Sequence, residues 1–232
     1  MMEHADRAGC THVLLGYPPS FNPKTDREIF DISRQLIQAA NVGVMLYPKF
    51  DFARVPAEAV VEVLADLIAL PNVFAAKIYD GPFFEACQRR FGKTITIASP
   101  NPITLPDNVK TYGQQWIGAG PYEVFQSPER PYFVELLRLL VAGRPEAMGI
   151  FQTLLPVMQS FLERHGPQAM LGMYNWPEHK FYQWCTGGHG GFPRQPVMRI
   201  TKATMDKVRA DFASIGITVP DGDDGFFQGR VA

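Results

Sequence analysis

Leu70-Pro71-Asn72-Val73-Phe74-Ala75-Ala76-Lys77-Ile78 decides how this chain is read. Pro71-Asn72 is a turn signal, and the apolar run after it is short enough to be a strand buried on both faces. A lysine ends that run. Burial disfavours the charged form of an amine, and a partly neutral amine in a dry pocket attacks carbonyl carbon to give a Schiff base. The competing reading is a lysine that snorkels from the strand end with its stem on apolar neighbours. The strand alone leaves both readings open.

Outward from Lys77, the same rhythm repeats in both directions. Thr11 to Gly16 and Val42 to Leu46 read as strands ending at Tyr17-Pro18 and Tyr47-Pro48. Helical periodicity fills Thr25 to Ala40, with Thr25 as N-cap and Glu28 at capping-box spacing. A second helix runs from about Pro56 to Ala69. After Lys77 come a helix from Phe83 to Phe91, a strand from Thr94 to Ala98, a short helix from Pro106 to Tyr112 and a final strand from Gln115 to Ala119. Alternating strands and helices imply a parallel sheet. No G-x-G-x-x-G or G-x-x-x-x-G-K-[ST] loop follows any strand, which removes the nucleotide-binding versions of such a sheet. The pattern fits the last five units of a (βα)8 TIM barrel, whose chemistry gathers at strand C-termini. Beyond Arg130 the pattern is helical, over 131–142, 145–164 and 201–214, with a glycine-rich loop over 186–196. The expected organisation is a barrel portion over 1–128, a C-terminal helical extension over 129–216, and a loosely ordered tail over 217–232.

Composition narrows the function classes. The 232 residues are 46% hydrophobic and 19% charged, enough for a sizeable core. A net charge of −1 argues against nucleic acid. No run of about 18 apolar residues suggests a membrane span, and the first residues carry no signal-peptide pattern. Cys10, Cys87 and Cys185 are odd in number and far apart, and read as buried thiols of a cytoplasmic protein. The histidines lack metal spacing. His189-Gly190-Gly191 has the look of a hydrolase oxyanion loop, but no G-x-S-x-G elbow accompanies it.

From about Gly9 to Ile217 the chain resembles the dihydrodipicolinate synthase and N-acetylneuraminate lyase family of Schiff-base aldolases. The stretch 71–78 is similar to that family's sixth strand, Val44-Met45-Leu46-Tyr47-Pro48 to its fifth, and 17–23 to the loop after its fourth. Residues 179–182 and 190–196 resemble its C-terminal helical extension. The resemblance implies that Lys77 forms an imine with pyruvate or another 2-keto acid and that Tyr47 moves protons. It implies a lyase for aldol cleavage, condensation or (de)hydration with no cofactor and no metal, acting on a keto acid and an aldehyde as a homo-oligomer. On the residues alone, Tyr47 could equally be a core aromatic with a satisfied hydroxyl. Gly118 is expected to let backbone approach a ligand or to serve a turn, and Tyr17 and Tyr79 to bind substrate.

Three departures from the family pattern bear on function. Its first three βα units, with the loop that binds the keto acid's carboxylate, have no counterpart here. Pro48-Lys49-Phe50-Asp51-Phe52-Ala53 stands where dihydrodipicolinate synthases carry a semialdehyde-binding arginine, which speaks against lysine biosynthesis. Pro19-Ser20 replaces paired tyrosines, which alters the proton relay, and Phe50, Phe52 and Tyr79 suggest a bulkier aldehyde. The alternative to an enzyme is a non-catalytic remnant or a partner-dependent module of the same fold. An opened barrel has an unpaired edge at the first strand, so the chain alone is expected to associate.

Overall fold

The computed structural model describes residues 2–18, 20–48, 55–118, 122–170 and 173–229. Two compact units divide the chain, 1–118 and 119–232.

In the first unit, a short helix α1 (Met2–Arg7) precedes four βα repeats: β1 (His12–Leu15), α2 (Asp26–Gln38), β2 (Gly43–Leu46), α3 (Ala57–Ile68), β3 (Val73–Lys77), α4 (Pro82–Phe91), β4 (Thr96–Ala98) and α5 (Leu105–Tyr112). All strand pairs are parallel, and the spatial order β1-β2-β3-β4 repeats the order in the chain. This is the expected α/β architecture of consecutive (βα)8-type units. Thr25 caps α2 as expected, its side chain accepting from the Glu28 amide at 3.2 Å, while the Glu28 carboxylate accepts from the Lys24 amide. The Asn72 side chain donates to the carbonyls of Ile37 and Ala40, tying the turn before β3 to the end of α2.

Register separates the two faces of the sheet. Leu15, Leu46, Ala76 and Ile97 are paired in one row and belong to the apolar core shared with α2, α3 and α4. The neighbouring row, Leu14, Met45, Ala75 and Thr96, points away from the helices because strand side chains alternate. On that second face Leu14 is 49% and Phe74 39% exposed. An irregularity between Val44 and Met45 places Phe74 opposite no partner. Its ring packs on His12 at 4.6 Å between centroids, over Gly43, where a Cβ would collide with His12 at 2.5 Å.

One expected element is not formed. Among the described residues, Gln115 to Gly118 pair with no strand. Just before them the Gln114 side chain takes the place of a ladder partner: its Oε1 accepts from the Ser99 amide at 3.0 Å and its Nε2 donates to the Ser99 carbonyl at 3.1 Å. A buried side-chain amide carries the same donor and acceptor as a peptide, so both Ser99 backbone groups after β4 are satisfied without a fifth strand. Ala119 and Gly120 lie outside the described residues, as do Pro19, Phe50 and Phe52.

The second unit consists of a 3-10 turn (Tyr122–Phe125), α6 (Tyr132–Val141), α7 (Ala147–Met170), α8 (Trp176–Cys185), α9 (Lys202–Ser214) and α10 (Asp224–Gln228). Helix α8 was not evident from periodicity, and the tail carries α10 with Phe226 buried. Phe125, Phe133, Phe161, Phe181, Tyr182 and Phe212 fill the core. A charged cluster lies within it. The Arg164 guanidinium meets Glu178 at 2.7 Å and Asp211 at 3.0 Å, and His165 Nε2 lies 3.2 Å from Glu178. Burial pushes the Glu178 carboxyl up, but the hydrogen bonds and charges of His165 and Arg164 outweigh it, so the net direction is down. Burial, followed by the charge of His165, lowers His179 to about 4.

Cys87 and Cys185 are buried, and burial raises both thiols to about 12. Cys10, in contrast, is exposed just past α1, where no core element covers it.

Candidate active site

The ends of β2 and β3 gather most of the residues singled out above. Lys77 follows Ala76, which is on the helix-covered face, so its side chain leaves from the opposite face beside Ala75. The strand end is held by the Ile78 amide donating to the Ala98 carbonyl at 3.0 Å. From there the partly buried ammonium donates to the Gly118 carbonyl at 2.7 Å. Nζ also stands 4.8 Å from the centroid of the Tyr47 ring, within cation–π range. Tyr47 reaches this place because its amide donates to the Leu15 carbonyl at 2.9 Å, continuing the β1–β2 ladder one residue past the strand.

Gly118 is where the backbone comes closest. A Cβ built on it would lie 3.3 Å from Lys77 Cδ, 3.4 Å from Lys77 Cε and 3.3 Å from the Trp116 ring. Its backbone has no left-handed requirement, so the need for glycine here is one of space. The lysine stem therefore runs in a slot between Trp116, Gly118 and Tyr47, with its amine held at the end.

Tyr79 completes the cluster. The Tyr47 hydroxyl donates to the Tyr79 hydroxyl at 3.2 Å, with the rings 6.2 Å apart. Tyr79 is 49% exposed, whereas Tyr47 is half-buried. The loop that carries Tyr79 is fixed by the next residue: the Asp80 carboxylate accepts from Thr104 at 2.7 Å and from Asn108 at 3.1 Å. These two residues sit at the N-cap and in the first turns of α5, so Asp80 ties the loop after β3 to the unit after β4.

Tyr17 is placed differently. Its hydroxyl shares a 2.6 Å hydrogen bond with Ser33 of α2 and its ring stacks on Phe21 at 4.8 Å. Burial raises the Tyr17 phenol above its ordinary value, an effect partly offset by the Ser33 bond. Four of the five expected residues thus come together, and the fifth is engaged by the helix. Sequence reasoning missed Asp80, Thr104, Asn108 and Trp116. Only Asp80 left a trace, as the acidic residue three places beyond the lysine.

The cluster has the parts that carbonyl chemistry needs: an amine on a fixed stem, a carbonyl oxygen that aims it, and a phenol beside it leading to a second phenol near solvent. Among the described residues, no group of three or more His, Cys, Asp and Glu side chains is placed to hold a metal ion. No described helix is long and apolar enough to cross a membrane.

No protein-family model matches this chain. No curated protein matches it either. Solved structures do. The chain is similar to YagE, a prophage protein belonging to the dihydrodipicolinic acid synthase family from Escherichia coli K12, solved in complex with pyruvate. The identity is 17% and the TM-score 0.70, over 93% of this chain and 70% of that one. It is similar to dihydrodipicolinate synthase from Aquifex aeolicus at 15% identity and a TM-score of 0.67, over 95% of this chain and 71% of that one. It is also similar to N-acetylneuraminate lyase from Fusobacterium nucleatum at 13% identity and a TM-score of 0.68, over 90% and 67%. At such identities the likeness is one of fold, and the chain spans about 70% of the length of the synthase structures.

Proposed function

We propose that this chain carries the site of a Schiff-base lyase, in which Lys77 forms an imine with pyruvate or another 2-keto acid. The observation that carries the reading is the slot around Lys77. Its amine is aimed by the Gly118 carbonyl at 2.7 Å and flanked by the Tyr47 ring at 4.8 Å, at the C-terminal end of a parallel strand. The free amine adds to the ketone, water leaves, and the resulting iminium draws electrons from the neighbouring C–C or C–H bond. Tyr47 is the group beside the nitrogen that can take and return the proton. The class of substrate is a keto acid with an aldehyde partner, acted on without a cofactor, and the working form is an oligomer. Similarity of fold to a structure solved with pyruvate supports the choice of keto acid.

Pyruvate and borohydride added to the protein should leave a reduced adduct on the peptide containing Lys77, and Lys77→Ala should abolish it. An adduct of equal yield in Lys77→Ala would refute the assignment.

A second reading, a partner-dependent module, has one observation in its favour: Leu14 and Phe74 leave apolar surface open on the sheet face that Lys77 shares. A chain that melts cooperatively alone, yet forms no adduct until a second protein is added, would support it.

A further inference from the structure

We propose that one flank of the first unit, the outer edge of β1 with the exposed border of α2, is the surface on which a second copy of this chain docks. It gives a place to the oligomer proposed above and does not depend on the chemistry of Lys77.

The backbone of β1 has an open edge. The Thr11 carbonyl accepts from the Gly43 amide and the Leu15 carbonyl from the Tyr47 amide, so the odd-numbered residues here face β2. His12 and Leu14 therefore turn their amides and carbonyls outward, where among the described residues nothing bonds them. The strand has no lysine, proline or bulge, the usual guards of an edge.

The opposite edge of the sheet is closed. Ala98 faces β3, where its carbonyl accepts from Ile78, so Ile97 and Ser99 face outward. The Ile97 carbonyl accepts from Gln88 Nε2 at 3.2 Å, and both Ser99 backbone groups are taken by Gln114. Two buried glutamines thus satisfy on β4 the kind of group that β1 leaves unbonded.

The helix over the open edge is apolar on the same flank. Ile29, Ser33 and Ile37 of α2 are buried, and Phe30 on one border of that stripe packs on the core. On the other border Ile32 and Leu36, one turn apart, are 41% and 39% exposed. Helix α3 packs on α2 from the β2 side, so this border lies on the β1 side.

A second copy matches this flank layer by layer. A two-fold axis perpendicular to the sheet sets β1 antiparallel to its own copy and α2 beside its own copy on the same face. With Val13 at the axis, His12 of each copy exchanges backbone bonds with Leu14 of the other, and the two histidines are not opposed. The helices run antiparallel, N-terminus beside C-terminus, which suits their dipoles. Leu14, Ile32 and Leu36 bring no charge into the contact. Because the β4 edge is closed, each copy offers one edge, and the assembly stops at two instead of growing into a filament. A flank about 20 Å long and two layers deep is at the low end of specific interfaces, so a dissociation constant of about 10–100 µM is expected.

The test is sedimentation velocity of the full chain over about 1–200 µM, beside Leu14→Ala, Leu14→Pro and Leu36→Lys, each with a thermal melt. The parent should pass from monomer to dimer and no further. Proline at 14 removes an outward N–H and no β1–β2 bond, so its dissociation constant should exceed that of Leu14→Ala by ~5–100-fold. Leu36→Lys sets two like charges across the axis at an exposed helical position; it should weaken the dimer ~10-fold and leave the melt unchanged. A parent that stays monomeric over the whole range would overturn the proposal and give the flank to another occupant. Species larger than a dimer would also overturn it, because the β4 edge would then take part. Parental association in Leu36→Lys would overturn it even where Leu14→Pro melts early, and so would equal association of Leu14→Pro and Leu14→Ala.

Discussion

Replacing Gly118 by alanine adds one methyl group at the tightest point of the site. The new Cβ would stand 3.3 Å from Lys77 Cδ, 3.4 Å from Cε and 3.3 Å from the Trp116 ring. Carbon atoms rest at about 3.5–4.0 Å, so the lysine stem or the indole has to yield by a few tenths of an ångström. The stem is the softer of the two, being a chain of rotatable bonds, whereas the indole is one rigid body. Movement of the stem lengthens the 2.7 Å bond from Nζ to the Gly118 carbonyl. The attacking form is the neutral amine, and a neutral hydrogen bond contributes about 0.5–1.5 kcal/mol, so a partial loss of about 0.5–1 kcal/mol is expected. At about 1.4 kcal/mol for each factor of ten, that is a ~2–5-fold slower rate of imine formation. The backbone at 118 suits an L-residue, so stability should hold within about 0.5 kcal/mol. Quenched-flow borohydride trapping with pyruvate gives the rate, and a urea melt gives the stability. Trapping at the parental rate in a folded Gly118→Ala protein would refute the argument that the glycine is there to make room for Lys77.

Two further outcomes follow from the anchors and from the charged cluster. Asp80→Ala leaves the Thr104 hydroxyl and the Asn108 amide without their carboxylate, and a loss of about 1–3 kcal/mol by urea denaturation is expected as the loop after β3 loses its anchor to α5. A variant as stable as the parent would remove Asp80 from that role. In the second unit, the folded value of His179, about 4, lies below its ordinary 6.5, so the unfolded chain binds the extra proton between them. Its contribution is complete above pH 6.5 and is lost as pH falls towards 4, by about 1–2 kcal/mol between pH 7 and 5 once its partial exposure is allowed for. Urea melts over that range should steepen with pH in the parent and flatten in His179→Gln; equal slopes would contradict the placement of His179.

What could be read in the chain beforehand was local. Lys77 and Tyr47 announce themselves because each ends an apolar strand beside a turn, and strand ends converge in a parallel α/β fold whatever the details. Thr25 with Glu28 is legible for the same reason, since a helix cap is three residues wide. The failures at the site and in the core are contacts over distance. Residues 115–118 have strand-like composition, but Gln114 already satisfies both Ser99 backbone groups, and propensity cannot report that a side chain has taken the ladder position. Tyr17 stands at a strand end just as Tyr47 does; its hydroxyl goes to Ser33 because a buried helical serine sixteen residues on offers a partner. Arg164, Glu178 and Asp211 are spaced too irregularly to mark any common face, so the cluster they build left no pattern to find.

The sheet order has a consequence for how the first unit assembles. Each strand lies beside its immediate predecessor in the chain, and paired residues are only about 20–30 positions apart. Closing loops of that size costs little more than closing shorter ones, since the entropy grows with the logarithm of length. No strand has to wait for a distant segment to be inserted between two others. Growth by accretion, one βα unit on the edge left by the last, is therefore open to this unit as it is to a solenoid, and a ribosome delivering the chain from its N-terminus would present the units in the order in which they dock.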